Sequence, residues 1–205
     1  PGNRAGNIHL KVYAAEYHAQ AAIGAALALR QRRLDPATID HITVHTYAHA
    51  LQGIGSTDAV WHATDVDTML HSMPYLVSVA LLDGDVSPAQ FAPPRLVAPD
   101  VRALMARTSV VEDPAITSAY VASVSTRVEV LTGDGQTHTA TCEQPAGHAA
   151  NPLTDSQIEA KFNLYAGVRL QDYQRRMFLG RVWELERFPH THPLLDSFRH
   201  PPRHE

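Results

Sequence analysis

At 205 residues, with 44% hydrophobic and 19% charged side chains, the chain is long enough to bury one good core, and one domain with an appendage is the expected organisation. A net charge of -4 with scattered arginines argues against a nucleic-acid or membrane-surface partner, and no apolar run approaches the ~20 residues that a membrane span needs. A single cysteine, Cys142, excludes an internal disulfide and fits a reducing cytoplasm; no secretory signal opens the chain, and a start on Pro1 in place of Met leads us to expect sequence missing upstream.

In chain order, Ile8, Leu10 and Val12 alternate with His9, Lys11 and Tyr13, the period of a half-buried strand. After Ala14 the period changes: Ala19, Ala22, Ile23, Ala26 and Leu27 recur at helical spacing, so the chain turns from strand to amphipathic helix within a few residues. Lys11, Glu16 and His18 gather at this corner. The helix start carries no Ser, Thr, Asp or Asn cap, and its free N–H groups together with Lys11 would suit a carboxylate. The helix should end near Arg33, before Leu34-Asp35-Pro36, and a strand is expected over 39–46, where Ile42 and Val44 alternate with Thr43 and His45. Residues 47–67, with Gly53 and Gly55, show neither period and read as a long loop of the kind that often carries function. Residues 69–82 are apolar nearly all round and predict a buried helix ended by Asp83-Gly84-Asp85.

Prolines then punctuate a connection to a short helix over 99–107. Residues 108–112, 123–131 and 137–142 are β-branched and alternating, and Gly133-Asp134-Gly135 between the last two is a good hairpin turn, so a small antiparallel sheet is expected. Thr154 and Gln157 form a capping-box pair at the start of another helix, and one more spans about 171–186. Strands at both ends of helical stretches without regular βαβ alternation favour an α+β fold. The expected division is a domain over 1–188, closing helices included, followed by a His- and Pro-rich tail over 189–205. In that tail His190, His192, His200 and His204 lack a recurring ligand spacing and read as surface, with no metal.

The string LKVYAAEYHAQAAIGAALALR resembles the opening of the second, C-terminal domain of the MmgE/PrpD family, where a Lys, an aromatic and a Pro precede Ala-Glu-aromatic-His-x-Gln and a small-residue helix. The Ala15-to-Gln20 wording is most similar to the 2-methylcitrate dehydratase branch. TMLHSMPYLVSVALLDGDV is similar to the family's Thr-Ala-Asp-His-Ser-x-Pro-Tyr stretch and its following Ala-Leu-x-Asp-Gly, and the GDGQ turn, PAGH at 145–148 and NPLT before IEAKF complete the ordered series. Two departures stand out: Ala14 replaces the Pro and Leu70 the Asp.

The resemblance implies the α+β second domain of that fold, with the family's all-helical domain absent from this chain. It also implies metal-independent, cofactor-free lyase chemistry on small di- or tricarboxylic acids: dehydration, decarboxylation or epimerisation. Each needs a proton moved beside a carboxylate-stabilised carbon, with cations holding the carboxylates. Lys11, Tyr75 and His71 are the implied catalytic set, and Glu16, His18, Ser72 and His148 the substrate contacts. Taken alone, Lys11 reads as a solvated lysine, Glu16 as a complement to the helix dipole, and His18 as a packed ring. From spacing, His71 and Tyr75 at i and i+4 would share a helical face with Ser72 beside them. The missing domain, on this or another chain, would complete the site. A homo-oligomer working in propionate metabolism follows from the resemblance; the competing expectation is a non-catalytic carboxylate-binding or structural module.

Overall fold

The structure, a computed structural model, describes residues 8–196 and 198. Its centre is a four-stranded sheet in the order β2-β1-β3-β4, built from β1 (Ile39–Thr46), β2 (Thr108–Glu112), β3 (Thr126–Thr132) and β4 (Thr137–Cys142). The α+β expectation holds, as does the hairpin pairing of β3 with β4, and β1, expected only as a strand, pairs antiparallel with β3. β2 is the correction: it runs parallel to β1, pairing Ile42 with Thr108 and Thr46 with Glu112. The stretch between these two strands is long enough to carry a crossover back to the starting end, which parallel pairing requires and a tight hairpin forbids.

Alternation makes the sheet two-faced. Ile42, Val44, Val128, Val130 and Ala140 are buried on one side, where α1 (Gln20–Gln31) packs. On the other side His45 Nε2 meets Glu129 at 3.0 Å, and Arg127 bridges Glu129 at 2.9 Å and Asp113 at 3.3 Å. The small residues of α1, including buried Ala22, Ala25 and Ala26, let its backbone approach β3 and β4 closely. At Gly24 a Cβ would lie 3.2 Å from Cys142 Sγ. α5 (Met73–Asp83) packs against α1 and against α7 (Pro99–Met105), and every residue from Met73 to Leu81 is buried, as its all-round apolar pattern predicts. Gly84, at φ 71°, ends α5 in the left-handed conformation that glycine adopts at no steric cost.

Two expectations about irregular stretches are corrected. Residues 8–12 form no strand: Ile8 and Leu10 are exposed, and a backbone hydrogen bond from Leu10 N–H to the Gly147 carbonyl, 2.8 Å, ties the segment down. Alternation without a neighbouring ladder and a buried face does not make a strand. Conversely, the supposed loop over 47–67 holds α2 (Ala48–Ile54), α3 (Asp58–His62) and α4 (Val66–Met69), helices too short to show a period.

The remaining helices are α6 (Pro93–Leu96), α8 (Pro114–Ala119), α9 (Asp155–Ala166), α10 (Asp172–Val182) and α11 (His192–Asp196). The chain divides into two compact units between Pro152 and Leu153. In the second unit Thr154 and Gln157 form the expected capping box of α9. Phe178 stacks on Phe162, centroids 5.1 Å apart, and meets Phe198 in a tilted contact at 4.9 Å, and the Arg181 guanidinium donates to the Pro193 carbonyl. His190 and His192 contact each other edge to face, while His200 and His204 lie outside the described residues.

Candidate active site

The corner before α1 is where the polar aromatic groups of the first unit converge. A single 3-10 turn, Tyr17–Ala19, precedes the helix, and the Glu16 carboxylate accepts from the His18 backbone N–H. The start of α1 itself carries no side-chain cap, as expected, while the turn before it is capped by the chain's own Glu16 carboxylate. Gln20, 2% exposed, explains the next part of the motif. Its amide accepts from Tyr13 N–H and donates to the Tyr13 carbonyl, both at 3.1 Å, folding the preceding segment back onto the helix.

His18 projects from this turn into an aromatic group supplied by three other elements. β1 delivers Tyr47 to the N-cap of α2, the first turn of α2 carries His49, and Tyr120 stands at the C-cap of α8. Tyr47 is fully buried, stacks on Tyr120 at 4.3 Å and 13°, and places its hydroxyl 2.5 Å from His18 Nδ1. His49 meets the His18 ring edge-on at 4.9 Å, and Glu16 Oε1 lies 3.9 Å from His18 Nε2.

A second group adjoins it. Tyr17 Oη is 2.7 Å from His9 Nδ1, and the His9 ring lies 4.1 Å from that of His148. The PAGH loop holds His148 by a 3.0 Å bond from its N–H to the Pro145 carbonyl, by the His148–Asn151 bridge, and by the Ala150 N–H donating to His148 Nδ1 at 3.0 Å. Gly147, at φ 84°, is required, because a Cβ there would stand 1.9 Å from the Leu10 carbonyl oxygen.

Burial sets the protonation of both groups. It lowers the His18 pKa, with Glu16 opposing and His49 adding to the shift, and it lowers that of His148 with help from His9. Tyr47 stays a neutral phenol, its pKa pushed far up by burial first and then by Tyr120 and Glu16. Burial, then Tyr120, raises Tyr17 as well. The arrangement thus offers neutral imidazoles and phenols beside a carboxylate, suited to hydrogen-bonding an anion and to exchanging protons with it. Among the described residues, no three His, Cys, Asp or Glu side chains are gathered to hold a metal ion.

Of the residues singled out from sequence, the fold brings together Glu16 and His18, with His148 in the adjoining group. Lys11 is exposed on the segment that carries His9. Among the described residues, no side-chain hydrogen bond or ring contact links Ser72, His71 or Tyr75 to them. α5 begins at Met73, so His71 lies outside it and shares no helical face with Tyr75; its ring is exposed, with Nδ1 2.9 Å from the Asp67 carbonyl. Ser72 caps α5, accepting from Tyr75 N–H at 3.3 Å and donating to the Val60 carbonyl at 2.5 Å. The Tyr75 hydroxyl donates to the Gln90 carbonyl in the core, and burial pushes its pKa up to about 12. His9, Tyr17, Tyr47, His49 and Tyr120 escaped the sequence reading. Tyr47-Ala48-His49 directly after an evident strand was a usable signal, whereas Tyr120 is joined to the site by tertiary structure alone.

Residues 13–185, which include Glu16, His18 and His148 but not His9 or Lys11, match the sequence profile of the MmgE/PrpD C-terminal domain. Among curated proteins, the chain is 34% identical to a 2-methylcitrate dehydratase of Cupriavidus necator over 152 residues, 69% of this chain and 31% of that protein. It is 28% identical to the alkylcitrate dehydratase phiI of a fungal species, strain ATCC 74256, over 178 residues, 81% of this chain and 35% of that protein. The chain thus spans about a third of the length of these relatives. With the profile covering most of the sequence, the chain belongs to the MmgE/PrpD family, within its C-terminal domain.

Proposed function

We propose that this chain contributes part of the active site of a metal-independent hydro-lyase acting on small hydroxy di- or tricarboxylic acids of the 2-methylcitrate kind. One observation carries the reading: inside the family-matched segment, His18 sits half-buried between the Glu16 carboxylate and the Tyr47 hydroxyl, with His148 adjoining and His9 reaching in from just before the segment. Dehydration breaks a C–H bond on a carbon beside a carboxylate and a C–O bond on its neighbour, releasing water. It needs cations or N–H donors on the carboxylates, a base for the carbon-bound proton and an acid for the leaving hydroxyl. Lys11 supplies the cation and the histidine groups the donors. The opposing groups come from the all-helical domain, on the same or a partner chain, in a homo-oligomeric, cytoplasmic enzyme of propionate metabolism.

The test combines the chain with that helical domain and follows formation of the unsaturated acid. Turnover should require both parts, and Lys11→Ala and His18→Gln should each abolish it while the chain still folds. Full activity in both variants would remove the corner from the chemistry. A second reading, carboxylate binding without turnover, draws on Leu70, which stands where the family motif carries Asp and offers its backbone carbonyl to Glu16 N–H at 2.9 Å. Under that reading citrate would bind and no combination of domains would turn over.

A further inference from the structure

His18 and His148 each have a neighbour that decides which ring nitrogen carries the proton. Tyr47 is fully buried, and among the described residues its hydroxyl has one hydrogen-bond partner, His18 Nδ1. A buried O–H without an acceptor is costly, and if Nδ1 bore the proton Tyr47 would have nothing to donate to. Nδ1 is therefore a lone pair, and the proton of the neutral ring is on Nε2. That nitrogen is 3.9 Å from Glu16 Oε1, beyond hydrogen-bond reach, so the carboxylate does not consume its donor. At His148 the argument is stricter. The Ala150 backbone N–H can only donate, and it points at Nδ1 from 3.0 Å, which again leaves the ring proton on Nε2.

We infer that Tyr47 and the Ala150 amide lock His18 and His148 in the Nε2–H form, so that the corner meets its ligand with neutral imidazole N–H donors aimed at carboxylate oxygens. The inference rests on the lyase reading only for the ligand's class. It assigns the two histidines to holding and polarising the carboxylates, and it places the base that removes the carbon-bound proton elsewhere, because neither ring keeps an unshared lone pair for that task. Tyr47 becomes a positioning residue, acting on the ligand through His18. Its stack on Tyr120 holds the phenol in line.

The experiment is nitrogen NMR of the histidine rings in the chain carrying 15N-labelled histidine, at a pH where both rings are neutral. The expected spectrum shows an unprotonated, hydrogen-bond-accepting Nδ1 and a protonated Nε2 at both residues. Tyr47→Phe should turn His18 into a mixture of tautomers and leave His148 unchanged. Ala150→Pro, which removes the amide donor, should do the reverse, so each variant controls for loss of fold in the other. Added citrate, the probe for the carboxylate class, should move both Nε2 signals. An Nδ1–H ring at either histidine in the unsubstituted chain, an unaltered His18 in Tyr47→Phe, or Nε2 signals indifferent to citrate would each overturn the assignment. Absence of turnover with the helical domain present would defeat the lyase reading while leaving these spectra as they are.

Discussion

Gly147 contributes to the site through the side chain it lacks. With φ at 84° and a Cβ position 1.9 Å from the Leu10 carbonyl oxygen, Gly147→Ala forces both a strained backbone and a collision. The expected result is loss of the Leu10–Gly147 hydrogen bond and destabilisation of about 1–3 kcal/mol, the usual cost of such strain. Denaturant titration, with amide exchange at Leu10 as the local readout, checks it; an unchanged Leu10 protection factor would contradict it. Tyr75 presents the opposite case, a polar group enclosed by the core. The structure gives its hydroxyl to the Gln90 carbonyl. Tyr75→Phe should therefore lower stability by about 1–3 kcal/mol through an unsatisfied carbonyl, with little change in citrate affinity. Calorimetry showing weakened binding and an unmoved midpoint would return Tyr75 to the ligand.

At the scale of elements, Ser72 tests whether the motif around α5 is architecture or ligand contact. It caps the helix through Tyr75 N–H and anchors Val60 through its own hydroxyl, both buried. Ser72→Ala should cost about 0.5–2 kcal/mol, the range for a lost N-cap, seen as a lower urea midpoint at constant slope. No change would mean that the cap is idle. The elements legible in the sequence were those whose pattern and burial agree: β1 and β4 by alternation, α1 by its small-residue face, α5 by its apolar run. The segment over 8–12 misled because its alternation points at solvent, and α2 to α4 were hidden because four to seven residues hold at most two turns. The Glu16, His18 and His148 part of the site was legible through the family motif. Tyr47, His49 and Tyr120 were not, because what brings them to the candidate site is the meeting of β1, α2 and α8 with the corner, and no local pattern encodes that.

For the whole molecule, the histidines link folding to pH. His18 and His148 both have folded pKa values below the ordinary 6.5, burial being the main cause. Below about 6.5 the unfolded chain takes up protons that the folded chain resists binding, so their contribution is present above that pH and is lost as pH falls through the lowered folded values. Unfolding free energy should accordingly decline between about pH 7 and 5, and the decline should be shallower in a His18→Gln, His148→Gln double variant. Equal slopes in the two proteins would show that these rings titrate alike folded and unfolded.

The sheet order also fixes a schedule for the nascent chain. β1 lies between β2 and β3, and both partners are made after it. At ~5–20 residues per second, the central strand leaves the ribosome several seconds before either neighbour exists. During that interval its two rows of backbone N–H and C=O groups are open to any other extended chain. His41, Thr43 and His45, on the face opposite Ile42 and Val44, make the waiting strand polar on one side, which tempers but does not remove the hazard. Newly made copies on one messenger are therefore in competition with the molecule's own C-terminal half for the edges of β1, and slowing translation over the stretch between β1 and β3 should lower the soluble yield even though every final contact is unchanged.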